Sequence, residues 1–323
     1  MKLGLIAIGI GGAVVTGMVA WFGARSIGAN VLQAGWAIPI ATLVLLTQLY
    51  LSAIAWRVAL GVRAPSLSVF FRIRWIREAV NALLPVAQLG GNLVGIRLLK
   101  QRGTSGIVAG AGTVLDLTIE VLTQFLFTLA GVSVLAEISG DRSWAPWLEG
   151  ALLTGAIGIG GFILAQRAGL MRLIETLADK LAGMFPALAL GSIEGLHHEL
   201  LRLQKNYLGL ARAFSLHLLA WMLGTVEVWV ALTAMGHQPS VAQAFVIESL
   251  GAAVRGAGFA VPGALGVQEG GLILICGLFA IPPDVAIALS MVKRARELIV
   301  GIPGLLVWQW TEGRHIVRRK KLS

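Results

Sequence analysis

A single cysteine, Cys276, leaves the 323-residue chain unable to form an intramolecular disulfide or a cysteine-based metal cluster. Charge is nearly as scarce. Asp, Glu, Lys and Arg together make up 13% of the sequence, against roughly 25% in soluble proteins, which excludes a globular fold with a fully solvated surface. The five histidines show no ligand spacing, and the adjacent His197 and His198 would point in different directions on a helix. No metal and no cofactor is therefore expected. The glycine-rich stretches lack the strand–turn–helix context of a nucleotide fingerprint. Apolar residues take up the space instead. They make up 57% of the chain, the mean hydropathy is +0.82, and several runs are long enough to cross a bilayer. The net charge is nevertheless +10, with a pI near 10.6. Lys and Arg lie mainly between and after the hydrophobic runs, as the positive-inside rule places them in cytoplasmic loops, so no nucleic-acid partner is expected.

The pattern predicts an all-α polytopic membrane protein with roughly six to eight transmembrane helices, read as one membrane domain over 1–323. A first span follows Lys2 and runs from Leu3 to Phe22, with no convincing signal-cleavage site. Further spans are expected at about 34–56, 106–135, 147–165, 213–234 and 285–310. Glycines in the first and fourth of these suggest close helix packing. The segment 167–205 reads as one or two amphipathic helices on the cytoplasmic membrane surface. Lys2 and the run Arg318–Lys321 place both termini in the cytoplasm.

Two stretches depart from simple spans. Between Pro65 and Arg102, basic residues flank a short apolar segment broken by Pro85, Gly90 and Gly91. A second break falls at Pro262, Gly263 and Gly266, inside 241–281. Such interruptions are tolerated at membrane depth where protein or a watery cavity covers the backbone, which suggests hairpins that enter and leave on one face. The alternative for the first is an amphipathic surface helix followed by a loop. The two stretches also align. Pro65-Ser66 precedes Asn81 by the spacing at which Pro239-Ser240 precedes Arg255, and Phe71 matches Phe245. With the first hairpin's ends inside and the second's outside, this is the trace of an inverted-topology repeat, with halves at about 1–135 and 206–312. Chance similarity between Gly- and Pro-containing membrane helices is the competing explanation.

Ionisable residues at membrane depth are costly and by default mark function. Asp116 and Glu120 lie one helical turn apart, in a stripe with Thr113 and Gln124. Glu227 and Glu248 fall in later apolar segments, and Arg255 and Glu269 flank the second break. Lys293, Arg294, Arg296 and Glu297 fall near the middle of the last span. Lys293 and Glu297 are spaced to pair along the helix. That span still carries three cations against one carboxylate. The spare positive charge must find Asp116, Glu120, Glu269, water or a ligand. Two readings follow: a polar cavity for an anionic headgroup, or interhelical ion pairs with a purely structural role.

Asn81-Ala-Leu-Leu-Pro85 with Gly90-Gly91, and Pro262-Gly-Ala-Leu-Gly-Val-Gln-Glu269, resemble the paired signatures of the lysylphosphatidylglycerol synthase transmembrane family, also called flippase-like. The run Arg74–Asn81, the segment Gly91–Arg97 and the Asp116–Glu120–Gln124 stripe resemble its hopanoid-biosynthesis-associated branch. The resemblance covers essentially the whole chain. It implies a bacterial inner-membrane protein that moves lipids between leaflets or delivers them to a lipid-modifying step. Lipid-aminoacylating relatives add a soluble catalytic domain that this sequence lacks, so aminoacyl transfer is not carried over. Relatives often place a carboxylate where Gly91 stands here, whereas Glu269 is retained, and the family's arginine-bearing last helix maps to Arg294.

The sequence thus predicts a lipid transporter for a hopanoid or an anionic lipid, its partners being membrane lipids and lipid-biosynthetic membrane enzymes. Asn81, Pro85, Gly90, Gly91, Arg97, Pro262, Gly263 and Gly266 would shape the substrate cavity. Arg255, Arg294 and Arg296 would hold the headgroup, with Asp116, Glu120, Glu269 and Glu297 balancing charge or carrying a coupling proton. The rival readings are an intramembrane lipid-modifying enzyme and a non-transporting scaffold.

Overall fold

The computed structural model describes residues 2–61, 64–84, 90–139, 145–168, 195–259 and 261–320. Every regular element among them is helical, because apolar backbone in lipid must satisfy its own N–H and C=O groups. In chain order they are α1 (Lys2–Phe22), α2 (Ala24–Gln33), α3 (Ala37–Leu60), α4 (Leu67–Leu83), α5 (Gly90–Gln101), α6 (Gly106–Ser139) and α7 (Ala145–Ala168). Then come α8 (Leu196–Gln204), α9 (Tyr207–Ala234), α10 (Val241–Ala257), α11 (Val267–Gly277) and α12 (Pro283–Lys320). Short 3-10 turns occupy Ala34–Trp36 and Pro262–Ala264. The segments Ala24–Leu60, Gly106–Ser139 and Tyr207–Ala234 are long and apolar enough to cross a membrane.

Each interrupted stretch supplies two helices, α4 and α5 in the first and α10 and α11 in the second, and residues 85–89 between α4 and α5 lie outside the described residues. The Pro-Ser pairs end immediately before α4 and α10, and each of these helices is 17 residues long. At 1.5 Å per residue each reaches about 25 Å, short of a hydrocarbon core about 30 Å thick. The amphipathic stretch expected over 167–205 lies mostly outside the described residues. Its described end, α8, is a short helix that packs Leu196, Leu200 and Leu203 inward and leaves His198 exposed.

The chain divides into two compact units. The first comprises Met1–Leu49, Arg74–Val94 and Met222–Ser323, and the second Tyr50–Ile73 and Gly95–Trp221. The core of the first is aliphatic, with Ile27, Ala41, Val228, Leu232, Ile247, Leu272 and Ile287 among its members. In the second, Trp56 meets Phe70 edge-on at 5.1 Å and Phe127 stacks on Trp221 at 6.4 Å. Of the glycines in α1 with close packing expected, only Gly11 among Gly9, Gly11, Gly12 and Gly17 is tight. A Cβ there would sit 2.6 Å from that of Leu265.

Candidate functional site

The second break is built from backbone that only small residues adopt. Gly263 has φ +60° and Gly266 φ +81°, so the chain can turn sharply between α10 and α11. The Glu269 carboxylate then reaches back and accepts a hydrogen bond from the Gly266 amide at 2.8 Å, capping its own helix. Its other oxygen accepts from the Ser290 hydroxyl at 2.7 Å and from Arg294 Nε at 2.8 Å. Arg294 Nη1 donates to the Gly263 carbonyl at 3.1 Å, tying the break to α12.

From Ser290 the network continues through neutral groups. Gln268 Nε2 donates to Ser290 Oγ at 2.7 Å, and Gln268 Oε1 accepts from Arg255 Nη1 at 2.7 Å. Arg255 also donates to Glu297. One continuous hydrogen-bonded chain therefore joins Glu297, Arg255, Gln268, Ser290, Glu269 and Arg294. A second cluster lies on the same helix. Lys293 Nζ is 2.6 Å from Glu248 Oε2 and 3.7 Å from Glu227 Oε2, while Arg296 Nε is 2.7 Å from Glu227 Oε1 as an ion pair without hydrogen-bond alignment. Gly224 leaves room for the Glu248 side chain, because a Cβ there would fall 2.7 Å from its Cδ.

These contacts correct one expectation and bear out part of another, since Arg294 does find Glu269. Lys293 and Glu297 do not pair along α12: the helix turns Lys293 towards Glu248 and Glu227, and Arg255 takes Glu297. The spare cations of the last span go to Glu227, Glu248 and Glu269, so four cations face four carboxylates and the cluster is neutral. Asp116 is the partner of His217 instead. Exposure within the cluster is uneven. The side chains of Glu227 and Glu269 are 0% exposed, whereas Arg294 keeps 17% and Arg255 26%.

In the first broken stretch, the Gly91 amide donates to Asn81 Oδ1 at 2.8 Å, latching α5 to α4. Gly91 must be small there, because a Cβ would fall 2.7 Å from that same oxygen. Gly90 opens α5, and Pro85 lies outside the described residues. A Cβ on Gly263 would stand 3.6 Å from the Ala82 carbonyl, so the second break lies against the end of α4. The Trp75 indole donates to the Val300 carbonyl at 2.7 Å, binding α4 to α12. Beside these helices is a cavity of about 10 Å³, room for one water, lined by Leu45, Glu78, Ala79, Ala82, Glu297, Val300 and Gly301.

Of the residues singled out in the sequence, Asn81, Gly90, Gly91, Arg255, Pro262, Gly263, Gly266, Glu269, Arg294, Arg296 and Glu297 fall in the first unit. Arg97, Asp116 and Glu120 fall in the second. Sequence reasoning missed Gln268, Ser290 and His217. Only His217, a titratable residue inside an apolar span, carried a signal that could have marked it.

The helices and their buried charges define an all-α multi-pass membrane protein with a cluster of four cations and four carboxylates inside its first unit. A family model described as the lysylphosphatidylglycerol synthase TM region matches residues 6–304. The chain belongs to that family, which makes it a membrane protein related to lipid handling. No curated protein and no solved structure matches it.

Proposed function

We propose that the protein is a flippase-like lipid transporter that receives a lipid's polar headgroup at Arg255 and Arg294, its substrate being a hopanoid or an anionic phospholipid. Family membership supports lipid handling. The observation that carries the reading is the uneven exposure of a neutral buried cluster: these two guanidiniums stay partly open while their carboxylate partners are buried. A phosphate can take a guanidinium in bidentate fashion once the paired carboxylate is displaced. It competes with Glu269 and Glu297, which re-form the ion pairs once it leaves. The pairs thus keep the site neutral when empty, where uncompensated charge in an apolar unit is costly.

The cavity beside α4 and α12 has room for one water and is too small for a headgroup. A headgroup enters when the broken helices move against α12, and the latches at Gly91 and Gly263 mark where that motion occurs. Equal lengths of α4 and α10 support the inverted repeat, which would let the two breaks exchange exposure between leaflets. In this reading the protein moves lipid without altering it, sits in the bacterial cytoplasmic membrane with both termini inside, and works beside lipid-biosynthetic enzymes.

The test is leaflet exchange of labelled anionic phospholipid or hopanoid in proteoliposomes. Wild type equilibrates the leaflets, and Arg294→Ala slows exchange roughly tenfold or more, the loss of one charge-assisted hydrogen bond. Arg294→Lys keeps the charge and controls for folding. Exchange no faster than in protein-free vesicles, with Arg294→Ala indistinguishable from wild type, overturns the proposal. Recovery of a chemically altered lipid would replace transport by catalysis.

A further inference from the structure

The second break has a side that the headgroup site does not use, and α1 rests on it. Gly11, Val14 and Met18 share one face of that helix. A Cβ on Gly11 would sit 2.6 Å from that of Leu265. One on Gly266 would fall 2.9 Å from a Val14 methyl, and one on Gly270 3.7 Å from Met18 Cε. Two residues before Leu265, the Gly263 carbonyl accepts from Arg294. The turn Pro262–Ala264 is buried, whereas Ile10 and Val14 on α1 and Leu274 and Leu278 on α11 are exposed. Exposed apolar surface of this kind faces acyl chains in a bilayer, so the seam between α1 and the break joins the lipid phase to the backbone that holds Arg294.

The helix is fastened unevenly. Its last turns pack Met18, Val19 and Phe22 against the aliphatic core of the first unit. Before them, from Gly9 to Gly17, Gly11 alone is buried, and a Cβ on Gly9, Gly12 or Gly17 would meet nothing within 4 Å. No described side chain of α1 makes a hydrogen bond or ion pair to another element. The Thr16 hydroxyl donates within its own helix, to the Gly12 carbonyl at 2.8 Å. Apolar helices gain little by packing on each other rather than on lipid tails. The first half of α1 can therefore leave the break at small cost, with lipid filling its place.

We propose that the seam between α1 and the second break is the side entrance for an acyl-chain lipid, with the first half of α1 as its gate. This entrance rests on the transport reading, which places the headgroup at Arg294. The gate pivots about Met18 to Phe22, where the core holds it. The headgroup passes inward between Gly11 and Leu265 to the Gly263 carbonyl. The acyl chains stay in the bilayer along the exposed faces of α1 and α11. Only the polar end of the lipid then needs a path through protein.

The experiment uses the full chain in phosphatidylcholine vesicles containing phosphatidylglycerol with a diazirine midway along one acyl chain. After illumination, mass spectrometry locates the adducts. Surrounding lipid labels Ile10 and Leu274 whatever the gate does. Adducts on the buried Pro262, Gly263 and Ala264 report lipid inside the seam and are expected in wild type; their absence overturns the proposal, whether or not the next variant folds. In a chain carrying Gly11→Cys and Leu265→Cys, a disulfide needs the two Cβ atoms to part by about 1 Å from their present spacing, and it holds the seam shut. Oxidation should abolish the adducts on 262–264 and drop phosphatidylglycerol exchange between leaflets to the protein-free rate, and a dithiol reductant should restore both. Adducts or exchange that persist unchanged in the disulfide form overturn the entrance. Adducts that respond to the disulfide, in a protein that exchanges no lipid in any form, keep the entrance and overturn the transport reading instead.

Discussion

Glu248 shows how much rests on one side chain in this fold. It is the near partner of Lys293, at 2.6 Å, and the two are 45 residues apart in sequence. Glu248→Gln leaves a buried ammonium with only the more distant Glu227, and the expected loss is about 3–5 kcal/mol in detergent-solubilised thermal unfolding. Adding Lys293→Met should recover much of that loss, because a buried pair removed whole costs far less than one left half-made. Gly224→Ala acts on the same contact from the other side. Its methyl group would displace the Glu248 carboxylate, for an expected cost of about 1–3 kcal/mol in the same measurement. The sequence exposed the charges of the last span as misplaced, because their cost depends only on hydropathy. It could not name their partners. Which carboxylate meets which cation depends on how α9, α10 and α12 are rotated against one another, and the local i, i+4 spacing of Lys293 and Glu297 pointed to the wrong one.

Among elements, the broken stretches were the most legible. Proline, serine and glycine act through local backbone geometry, so the Pro-Ser starts and the Pro262 break could be read directly. Ser240 accepts from the Gln243 amide at 3.1 Å while Gln243 Oε1 accepts from the Ser240 amide at 2.9 Å, a reciprocal cap at the start of α10. Ser240→Ala should cost about 1 kcal/mol, seen as a lower melting temperature. The Asn81 latch belongs to this scale too. Asn81→Ala removes the acceptor for the Gly91 amide, and hydrogen exchange at that amide should speed up while amides in the middle of α9 keep their rates. Glycine spacing in α1 does not single out Gly11, since packing there needs a neighbour, Leu265, that periodicity does not reveal.

For the whole molecule, the apolar, basic composition marked a multi-pass membrane protein, but the segments that would share a compact unit were not legible. The first unit joins three stretches far apart in sequence. Cys276 lies at 0% exposure in its core. A membrane-permeant maleimide should therefore leave the native protein unlabelled and react only after denaturation, as mass spectrometry would show. The neutral charge cluster also bears on how the chain is made. Carrying Lys293, Arg294, Arg296 and Glu297, α12 is not among the described segments apolar enough to span on their own. Each such charge adds about 2.5–3.5 kcal/mol to insertion. All the residues that compensate them leave the ribosome earlier. Insertion of the last helix should thus be templated by helices already in the bilayer, and a reporter fused after the C-terminus should lose its uniform sidedness when Glu227 and Glu248 are both replaced by Ala.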